Sequence, residues 1–292
     1  MSGIPAGLPR DDSLPRRVGV LGGGRMGAGI AHAFLIQGCE VLVVERDGDA
    51  VDAARERVAA AVDQSVQRGL PGSAADFMAG LTVTADPAGF SRCGLVVEAV
   101  PEIWELKVAA LQETEKLLPA QGVLASNTSS LSITGLGAEL ARPENFIGLH
   151  FFNPVPASTL IEVVRGQITP DALVAAAQGW TTALGKTAVV VNDAPGFASS
   201  RLGVALALEA MRMVEEGVAS AADIDAAMVL GYKHPTGPLR TTDIVGLDVR
   251  LGIAEYLAQT LGERFEPPAI LKEMVARGEL GRKSGKGFFD WA

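Results

Sequence analysis

A histidine and a glutamate in this chain are placed so that they could act together in proton transfer. His150 follows a short apolar run of strand character, residues 146–149, and Glu162 lies in the middle of a second apolar run, residues 160–164. Because side chains alternate between the faces of a strand, Glu162 shares its face with apolar neighbours, where an ionised carboxylate is costly unless it is paired. The nearest titratable partner is His150, and a histidine oriented by a carboxylate is suited to general acid–base catalysis. The alternative is a core histidine and an edge-strand glutamate with structural roles only.

A glycine-rich turn follows the first predicted strand, residues 17–21. Gly22, Gly24 and Gly27 have the spacing G-x-G-x-x-G, with Met26 inside the motif and a helical pattern after it. Such glycines allow a tight turn, close approach of the backbone to a pyrophosphate, and packing of the helix on the strand. The phosphate would lie at the helix N-terminus, where free N–H groups favour negative charge. We therefore predict that these four residues bind a dinucleotide.

The second predicted strand, residues 40–44, ends in Glu45. In dinucleotide-binding domains, an acid about 20 residues after the glycine motif binds the ribose hydroxyls, and Glu45 lies close to that position. A carboxylate there repels a 2′-phosphate, so Glu45 predicts NAD rather than NADP. Arg46 keeps NADP open, because an arginine at this position could help to bind a phosphate. The alternative is that these residues bind no cofactor, so that the glycines only form a turn and Glu45 is only a surface acid.

A cluster of polar residues, Ser126–Ser130, follows another predicted strand at residues 122–125. In open α/β sheets, ligands bind at the carboxyl ends of parallel strands. We therefore expect Asn127 and Ser129 to lie at the same sheet edge as the acid and the histidine. The alternative is that serines between Ser129 and Ser132 cap the following helix.

The order of apolar segments predicts an α/β domain followed by a domain of helices only. Strands alternate with helices as far as residue 193, which predicts a Rossmann-type dinucleotide-binding domain at residues 15–193. Residues 49–80 are more residues than a connection between two parallel strands needs. We expect them to form either a helical arm that grips a ligand or additional helices with no role in binding. The helical domain, residues 194–292, has enough apolar surface to predict a homodimer. Residues 1–14 have the character of a disordered tail.

Composition excludes several function classes. The chain has 292 residues, of which 48% are hydrophobic and 20% are charged, as expected for a folded globular protein. The net charge of −9, without a basic run to offset it, argues against a nucleic-acid partner. We expect no membrane span, because no apolar run reaches about 18 residues, and no metal site, because the usual ligand motifs are absent. Cys39 and Cys93 lie in apolar stretches, which predicts reduced thiols in a cytoplasmic protein.

Several segments together carry a family resemblance: GGGRMGAGIA, VVEAVPE, SNTSSLSIT, GLHFFNPVP, LIEVV, NDAPGF, GPLRTTDIVGLD and GRKSGKGFFDW. From about Arg17 to Trp291 the chain resembles the short-chain, single-function L-3-hydroxyacyl-CoA dehydrogenases. The resemblance implies an NAD-binding N-terminal domain, a helical C-terminal dimerisation domain and a cleft between them. It also implies reversible, NAD-dependent oxidation of a short (S)-3-hydroxyacyl-CoA to the 3-oxoacyl-CoA in fatty acid β-oxidation.

The resemblance also implies roles for individual residues. By the family pattern His150 is the catalytic base and Glu162 its orienting partner. The other matching positions are Ser129 and Asn153, which bind or orient the substrate and the histidine, and the cofactor residues Glu102, Lys107 and Asn127.

The chain departs from the family pattern at two places. Ser200 replaces an asparagine of the segment PGFxxNR; its hydroxyl can still bind substrate, directly or through a water. In the predicted arm, the family places a serine and a lysine that contact CoA. Residues 53–60 offer alanines instead, with Arg55, Arg57 and Arg68 as possible phosphate partners.

Two other functions therefore stay open. The same fold and the same histidine–glutamate pair could act on a small free hydroxy acid or alcohol, as relatives acting on carnitine or gulonate do. The chain could also be a non-catalytic NAD-binding or crystallin-like structural protein. A carboxylate in an apolar strand argues against the second function, because a structural role does not need it.

Overall fold

A computed structural model describes residues 14–291 of the chain. Residues 1–13, which belong to the predicted tail, lie outside the described residues. The chain divides into two compact units, the first ending at Asp193 and the second beginning at Ala194.

Within residues 14–193 the first unit is an eight-stranded sheet with helices. Its strands are β1 (Arg17–Leu21), β2 (Glu40–Val44), β3 (Leu81–Thr84), β4 (Leu95–Glu98), β5 (Val123–Ser126), β6 (Phe146–Phe151), β7 (Leu160–Arg165) and β8 (Thr187–Asn192). Its helices are α1 (Arg25–Leu35), α2 (Gly48–Gln67), α3 (Ala74–Ala79), α4 (Trp104–Leu117), α5 (Ile133–Ala138) and α6 (Asp171–Ala183).

The strand order is β3-β2-β1-β4-β5-β6-β7-β8, and all neighbours are parallel except β6 and β7. Every residue of β4 and β5 is buried, as expected for central parallel strands covered by helices on both faces. The antiparallel pair follows from the short turn between β6 and β7, since a parallel connection would need a crossover.

The strand register aligns the carboxyl ends of the central strands. Leu21 of β1 pairs with Glu98 of β4, Glu98 with Ser126 of β5, and Ser126 with Gly148 of β6. The loops that follow β1 and β5 therefore leave the sheet at the same edge, and His150 lies just beyond Gly148 on β6.

In the predicted arm, residues 49–80, residues 49–67 belong to α2 and residues 74–79 form α3. The Asp47 carboxylate caps α2 by accepting a hydrogen bond from the Ala50 N–H at 2.9 Å. Ala54, Val58 and Val62 are buried in the same core as α1 and the central strands. This face of α2 therefore belongs to the core of the first unit, and the ligand-gripping role of the segment stays a prediction.

The second unit is helical within its described residues 194–291. Its helices are α7 (Ser199–Glu215), α8 (Ala221–Tyr232), α9 (Pro238–Val245), α10 (Leu247–Leu261) and α11 (Ala269–Ala276). Val204 and Leu208 of α7 join a separate core with Leu247 and Leu257 of α10.

Three other properties of the described residues bear on function. Cys39 and Cys93 are free and buried, and burial raises the pKa of both thiols to about 11. None of the helices between residues 14 and 291 is both long enough and apolar enough to cross a membrane. The same residues contain no group of three or more His, Cys, Asp or Glu side chains that could hold a metal ion.

Candidate active site

His150 and Glu162 lie opposite each other on the antiparallel strands β6 and β7. The His150 Nδ1 and the Glu162 Oε2 are 2.8 Å apart, and the two residues are 6% and 1% exposed. Because an ionised carboxylate can only accept a hydrogen bond, Nδ1 carries the proton and donates it. The neutral ring then has its basic lone pair on Nε2, and the carboxylate stabilises the imidazolium that forms when Nε2 takes a proton.

The loop after β5 is tied to the strand that carries this histidine. The Asn127 Oδ1 accepts a hydrogen bond from the Phe151 N–H at 2.8 Å, and the Asn127 N–H donates to the Glu98 carbonyl at 2.9 Å. Asn127 therefore holds the ends of β4, β5 and β6 together beside His150. A cofactor-binding role for Asn127 stays a prediction, added to this structural role.

A buried ion pair stabilises the same sheet edge. Glu98 and Lys107 are 0% and 1% exposed, and the Lys107 Nζ lies 2.7 Å from the Glu98 Oε1. The Ser126 hydroxyl donates to the other Glu98 oxygen at 2.6 Å. Sequence reasoning assigned Lys107 to the cofactor but gave Glu98 no role. A carboxylate at the end of a wholly apolar strand was the available signal, as it was for Glu162.

Glu102 organises the polar loop that contains Ser129. Its Oε1 accepts hydrogen bonds from the Thr128 hydroxyl at 2.6 Å and the Ser129 N–H at 2.9 Å, and the Lys107 Nζ lies 3.2 Å from its Oε2. Burial alone would raise the pKa of Glu102, but the Lys107 ammonium and these hydrogen bonds outweigh burial and lower it. The Glu102 carboxylate therefore fixes the backbone on which the predicted substrate residue Ser129 stands.

The glycine motif has the geometry that a dinucleotide requires. Gly22 has φ +92°, and a Cβ on Gly27 would lie 1.8 Å from the Gly22 carbonyl oxygen, so neither position admits another residue without rearrangement. A Cβ on Gly24, the residue that precedes α1, would meet no atom within 4 Å. No side chain caps α1 and its first turn has no acid, which leaves the N–H groups for an anion. Met26, half-buried, is in this first turn.

Glu45 lies next to this loop at the end of β2. Its Oε1 accepts a hydrogen bond from the Gly23 N–H at 2.7 Å, and its Oε2 accepts one from the Arg46 N–H at 3.2 Å. The Arg46 side chain turns to Asp47, with its Nε 2.9 Å from the Asp47 Oδ2. The carboxylate is therefore held beside the glycine loop and the neighbouring guanidinium is paired, which fits NAD. The glycine motif, the N-terminus of α1 and Glu45 thus all fit a bound dinucleotide.

Two arginines of α2 that were candidate phosphate partners make backbone contacts. The Arg57 Nη1 donates to the Gly23 carbonyl at 3.2 Å, and the Arg55 Nη2 donates to the Val83 carbonyl at 3.3 Å. Arg57 therefore braces the glycine loop through one of its N–H groups, and its phosphate contact stays a prediction.

The remaining predicted site residues lie in different places. Asn153 is exposed in the turn after β6, and its side chain makes no hydrogen bond to any of the described residues 14–291. Ser200 belongs to the second unit, where it is half-buried in the first turn of α7. Their roles toward substrate stay predictions.

Comparison with known proteins identifies the family. Residues 17–194 match the family model for the NAD-binding domain of 3-hydroxyacyl-CoA dehydrogenase, and residues 196–291 match the model for its C-terminal domain. A probable 3-hydroxybutyryl-CoA dehydrogenase of Deinococcus radiodurans is 39% identical, covering 94% of this chain and 100% of the relative. A 3-hydroxybutyryl-CoA dehydrogenase of Mycobacterium tuberculosis is 40% identical, covering 94% and 98%.

A solved structure agrees with the sequence comparison. The crystal structure of (S)-3-hydroxybutyryl-CoA dehydrogenase from Ralstonia eutropha matches with a TM-score of 0.91 and 36% identity, covering 96% of this chain and 100% of that one. The predicted fold class, cofactor NAD and family resemblance are thereby confirmed. This chain belongs to the 3-hydroxyacyl-CoA dehydrogenase family and is an NAD-dependent oxidoreductase.

Proposed function

We propose that this chain oxidises short (S)-3-hydroxyacyl-CoA thioesters to 3-oxoacyl-CoA, with His150 as the base and Glu162 as its partner. The observation that carries the assignment of the pair is the 2.8 Å contact between the His150 Nδ1 and the Glu162 Oε2, both residues being buried. An ionised carboxylate removed from water at this position is costly unless it is paired, and His150 is the partner that the structure gives it.

His150 takes the proton of the 3-hydroxyl group in the oxidative direction. Its Nε2 is the basic nitrogen, because Nδ1 donates to Glu162. The substrate O–H bond breaks toward Nε2, the C3–O bond becomes a carbonyl, and the ring becomes an imidazolium beside the carboxylate. In the reductive direction the same nitrogen returns the proton to the 3-oxo oxygen. Positioned proton transfer of this kind contributes about 10²- to 10⁴-fold in rate.

The cofactor residues hold NAD at the edge of the sheet that also carries the histidine. Gly22, Gly24, Gly27 and Met26 form the loop that receives the pyrophosphate, and Glu45 receives the ribose hydroxyls. When bound, NAD supplies the nicotinamide that accepts the hydride from C3 of the substrate.

The polar loop and the turns that flank the histidine orient the substrate. Glu102 and Lys107 keep the loop in place next to the cofactor, and Asn127 anchors it to β6. From that loop the Ser129 hydroxyl donates to the oxygen on C3. Asn153 and Ser200 are assigned to the substrate by the family pattern alone.

The wider setting is proposed from the family resemblance and from the two cysteines. We assign the chain to fatty acid β-oxidation and to the cytoplasm, which agrees with two buried thiols that burial keeps protonated. The C-terminal unit is assigned as the surface of a homodimer. Its exposed apolar residues, among them Leu202, Leu230 and Tyr232 at 71%, 70% and 75% exposure, support this assignment.

The alternative substrate is a small free hydroxy acid. Ser200 and the alanine-rich α2 leave this alternative open, because both depart from the family pattern. Oxidation of NADH with acetoacetyl-CoA, set beside oxidation with free acetoacetate, separates the two. Our proposal predicts turnover of the thioester and little turnover of the free acid. Turnover of the free acid alone would contradict the proposal.

A further inference from the structure

A cavity of about 530 Å³ lies in the first unit at the amino ends of the central strands. Its volume is within the range of small-molecule sites. Its walls include Arg17 at the start of β1, Glu40 at the start of β2, and Gly94 and Gly122, which directly precede β4 and β5. The proposed cofactor and substrate loops leave the sheet at the opposite, carboxyl ends of these strands. The cavity therefore belongs to neither of the proposed sites.

Three arginines and one glutamate line this cavity, which leaves two positive charges in excess. Glu40 is shared between two of the arginines: its Oε1 lies 3.0 Å from the Arg16 Nη2, and its Oε2 lies 3.9 Å from the Arg17 Nη1. The third, Arg92, is exposed, and its side chain forms no hydrogen bond or ion pair with another residue between 14 and 291. The whole chain has a net charge of −9, so this local excess of positive charge favours binding of a small anion here.

Arg17 keeps hydrogen-bond donors for such an anion. Its side chain forms no hydrogen bond with the part of the chain that the structure describes, and its Nε is buried without a partner there. At 3.9 Å, its contact with Glu40 is too long for a hydrogen bond. An arginine presents five N–H donors, and its guanidinium fork matches a carboxylate or a phosphate with two parallel hydrogen bonds. Arg17 therefore has unused donors at the wall of the cavity.

The cavity also has an apolar wall, to which Pro15, Pro119, Trp180 and Cys93 contribute. Burial raises the pKa of the Cys93 thiol to about 11, although two neighbouring arginines act in the opposite direction. The thiol is therefore neutral at pH 7 and adds no negative charge that would repel an anion. A ligand that fills this cavity would contact the apolar wall as well as the arginines, so it needs an apolar group beside its charge.

We propose that this cavity binds a small organic anion with two negative charges and an apolar body, held by Arg17 and Arg92. The two charges match the excess of positive charge in the cavity. A phosphate monoester and a dicarboxylate both have this chemistry. The site and the glycine motif lie at opposite ends of β1, so the anion binds together with NAD rather than in its place. The proposal does not depend on the reaction proposed above.

Calorimetric titration of the full chain, saturated with NADH at pH about 7.5, tests this proposal. Phenyl phosphate and isophthalate are the two dianionic probes, each with an aromatic ring, and phenol is the uncharged control. We expect saturable binding of at least one dianion with a Kd below about 1 mM, unchanged when NADH is left out, and no saturable binding of phenol. The dianion that binds more tightly identifies the ligand as a phosphate monoester or a dicarboxylate.

Variants of the lining residues assign the binding to the cavity. Arg17→Met removes the guanidinium fork and should raise the Kd at least about tenfold, the equivalent of one charge-assisted hydrogen bond. Arg92→Met should raise the Kd about threefold, since water screens the charge of this exposed residue. Glu40→Gln should lower the Kd, because it removes the carboxylate that competes for Arg17. Lys116→Met, which removes an exposed cation outside the cavity, is the matched control and should leave the Kd unchanged.

Three results would overturn the proposal. The first is that neither dianion binds saturably to the full chain, or that the Kd is the same in the wild type, Arg17→Met and Arg92→Met, with urea unfolding showing that the variants are folded. The second is competition of the dianion with NADH, which would place it in the dinucleotide site. The third is binding only to the double variant Asp11→Asn, Asp12→Asn, which would mean that the cavity takes carboxylates of the chain itself.

Discussion

The His150 Nδ1 and the Glu162 Oε2 face each other at 2.8 Å across the antiparallel strand pair β6 and β7, inside an otherwise parallel sheet. The pairing register sets this distance, because the two residues are direct partners on β6 and β7. Glu162 is 1% exposed, so its charge acts on the histidine with little screening by water. The arrangement fixes which nitrogen of the histidine is basic.

Replacing Glu162 by glutamine should lower kcat strongly. Glutamine keeps the size of the side chain but cannot stabilise the imidazolium, and it allows the wrong ring tautomer. We expect kcat with acetoacetyl-CoA to fall by about 10²- to 10⁴-fold, with NADH binding by fluorescence unchanged. A kcat within threefold of the wild type would mean that Glu162 has only a structural role.

Two alanine substitutions in the glycine motif should have different effects. Gly27→Ala places a Cβ in conflict with the Gly22 carbonyl, and we expect it to lower the free energy of unfolding by about 1–3 kcal/mol as well as NADH affinity. Gly24→Ala meets no protein atom within 4 Å. It should unfold like the wild type in urea and lose NADH affinity, since its methyl group would occupy space proposed for the pyrophosphate. Equal NADH affinity in Gly24→Ala and the wild type would place the phosphate elsewhere.

Glu45 should control the choice between NAD and NADP. Removing the carboxylate in Glu45→Ala relieves the repulsion of a 2′-phosphate and removes the acceptor for the Gly23 N–H. We expect the ratio of kcat/KM for NADH to that for NADPH to fall by at least about tenfold, the equivalent of one charge-assisted hydrogen bond. Asp49→Ala, which removes an acid from the first turn of α2, is the control. An unchanged ratio in Glu45→Ala would exclude Glu45 as the discriminating residue.

Lys107 should be needed for stability. Lys107→Met leaves the Glu98 carboxylate buried without its cation, and we expect the free energy of unfolding in urea to fall by about 3–5 kcal/mol. The double variant Glu98→Gln, Lys107→Met removes both charges and should regain part of the loss. If the single variant unfolds like the wild type, the pair does not stabilise this edge of the sheet.

The parts of the fold set by local patterns could be predicted from the sequence. The bounds of β1 and β2 were predicted correctly, because each is an apolar run that ends at a glycine loop or a charged residue. The six-residue helix α5 was expected only in the alternative in which serines cap a following helix, since ITGLGA has two glycines and no clear helical period. It forms because Ser132 caps it and because Ile133 and Leu136 are buried.

A residue of the candidate site could be predicted from the sequence where its type was unusual for its surroundings. Glu162 was found because a carboxylate in an apolar strand needs a partner. Glu98 gave the same signal, but its partners Lys107 and Ser126 are fixed by the packing of α4 and β5.

The central claim is that His150 is the base, and the most direct test is the turnover of acetoacetyl-CoA by His150→Gln. The control is His234→Gln, which changes a histidine in the turn between α8 and α9. We predict that kcat falls by about 10²- to 10⁴-fold in His150→Gln, with NADH affinity retained, and that His234→Gln behaves like the wild type. Turnover by His150→Gln within threefold of the wild type would contradict the account.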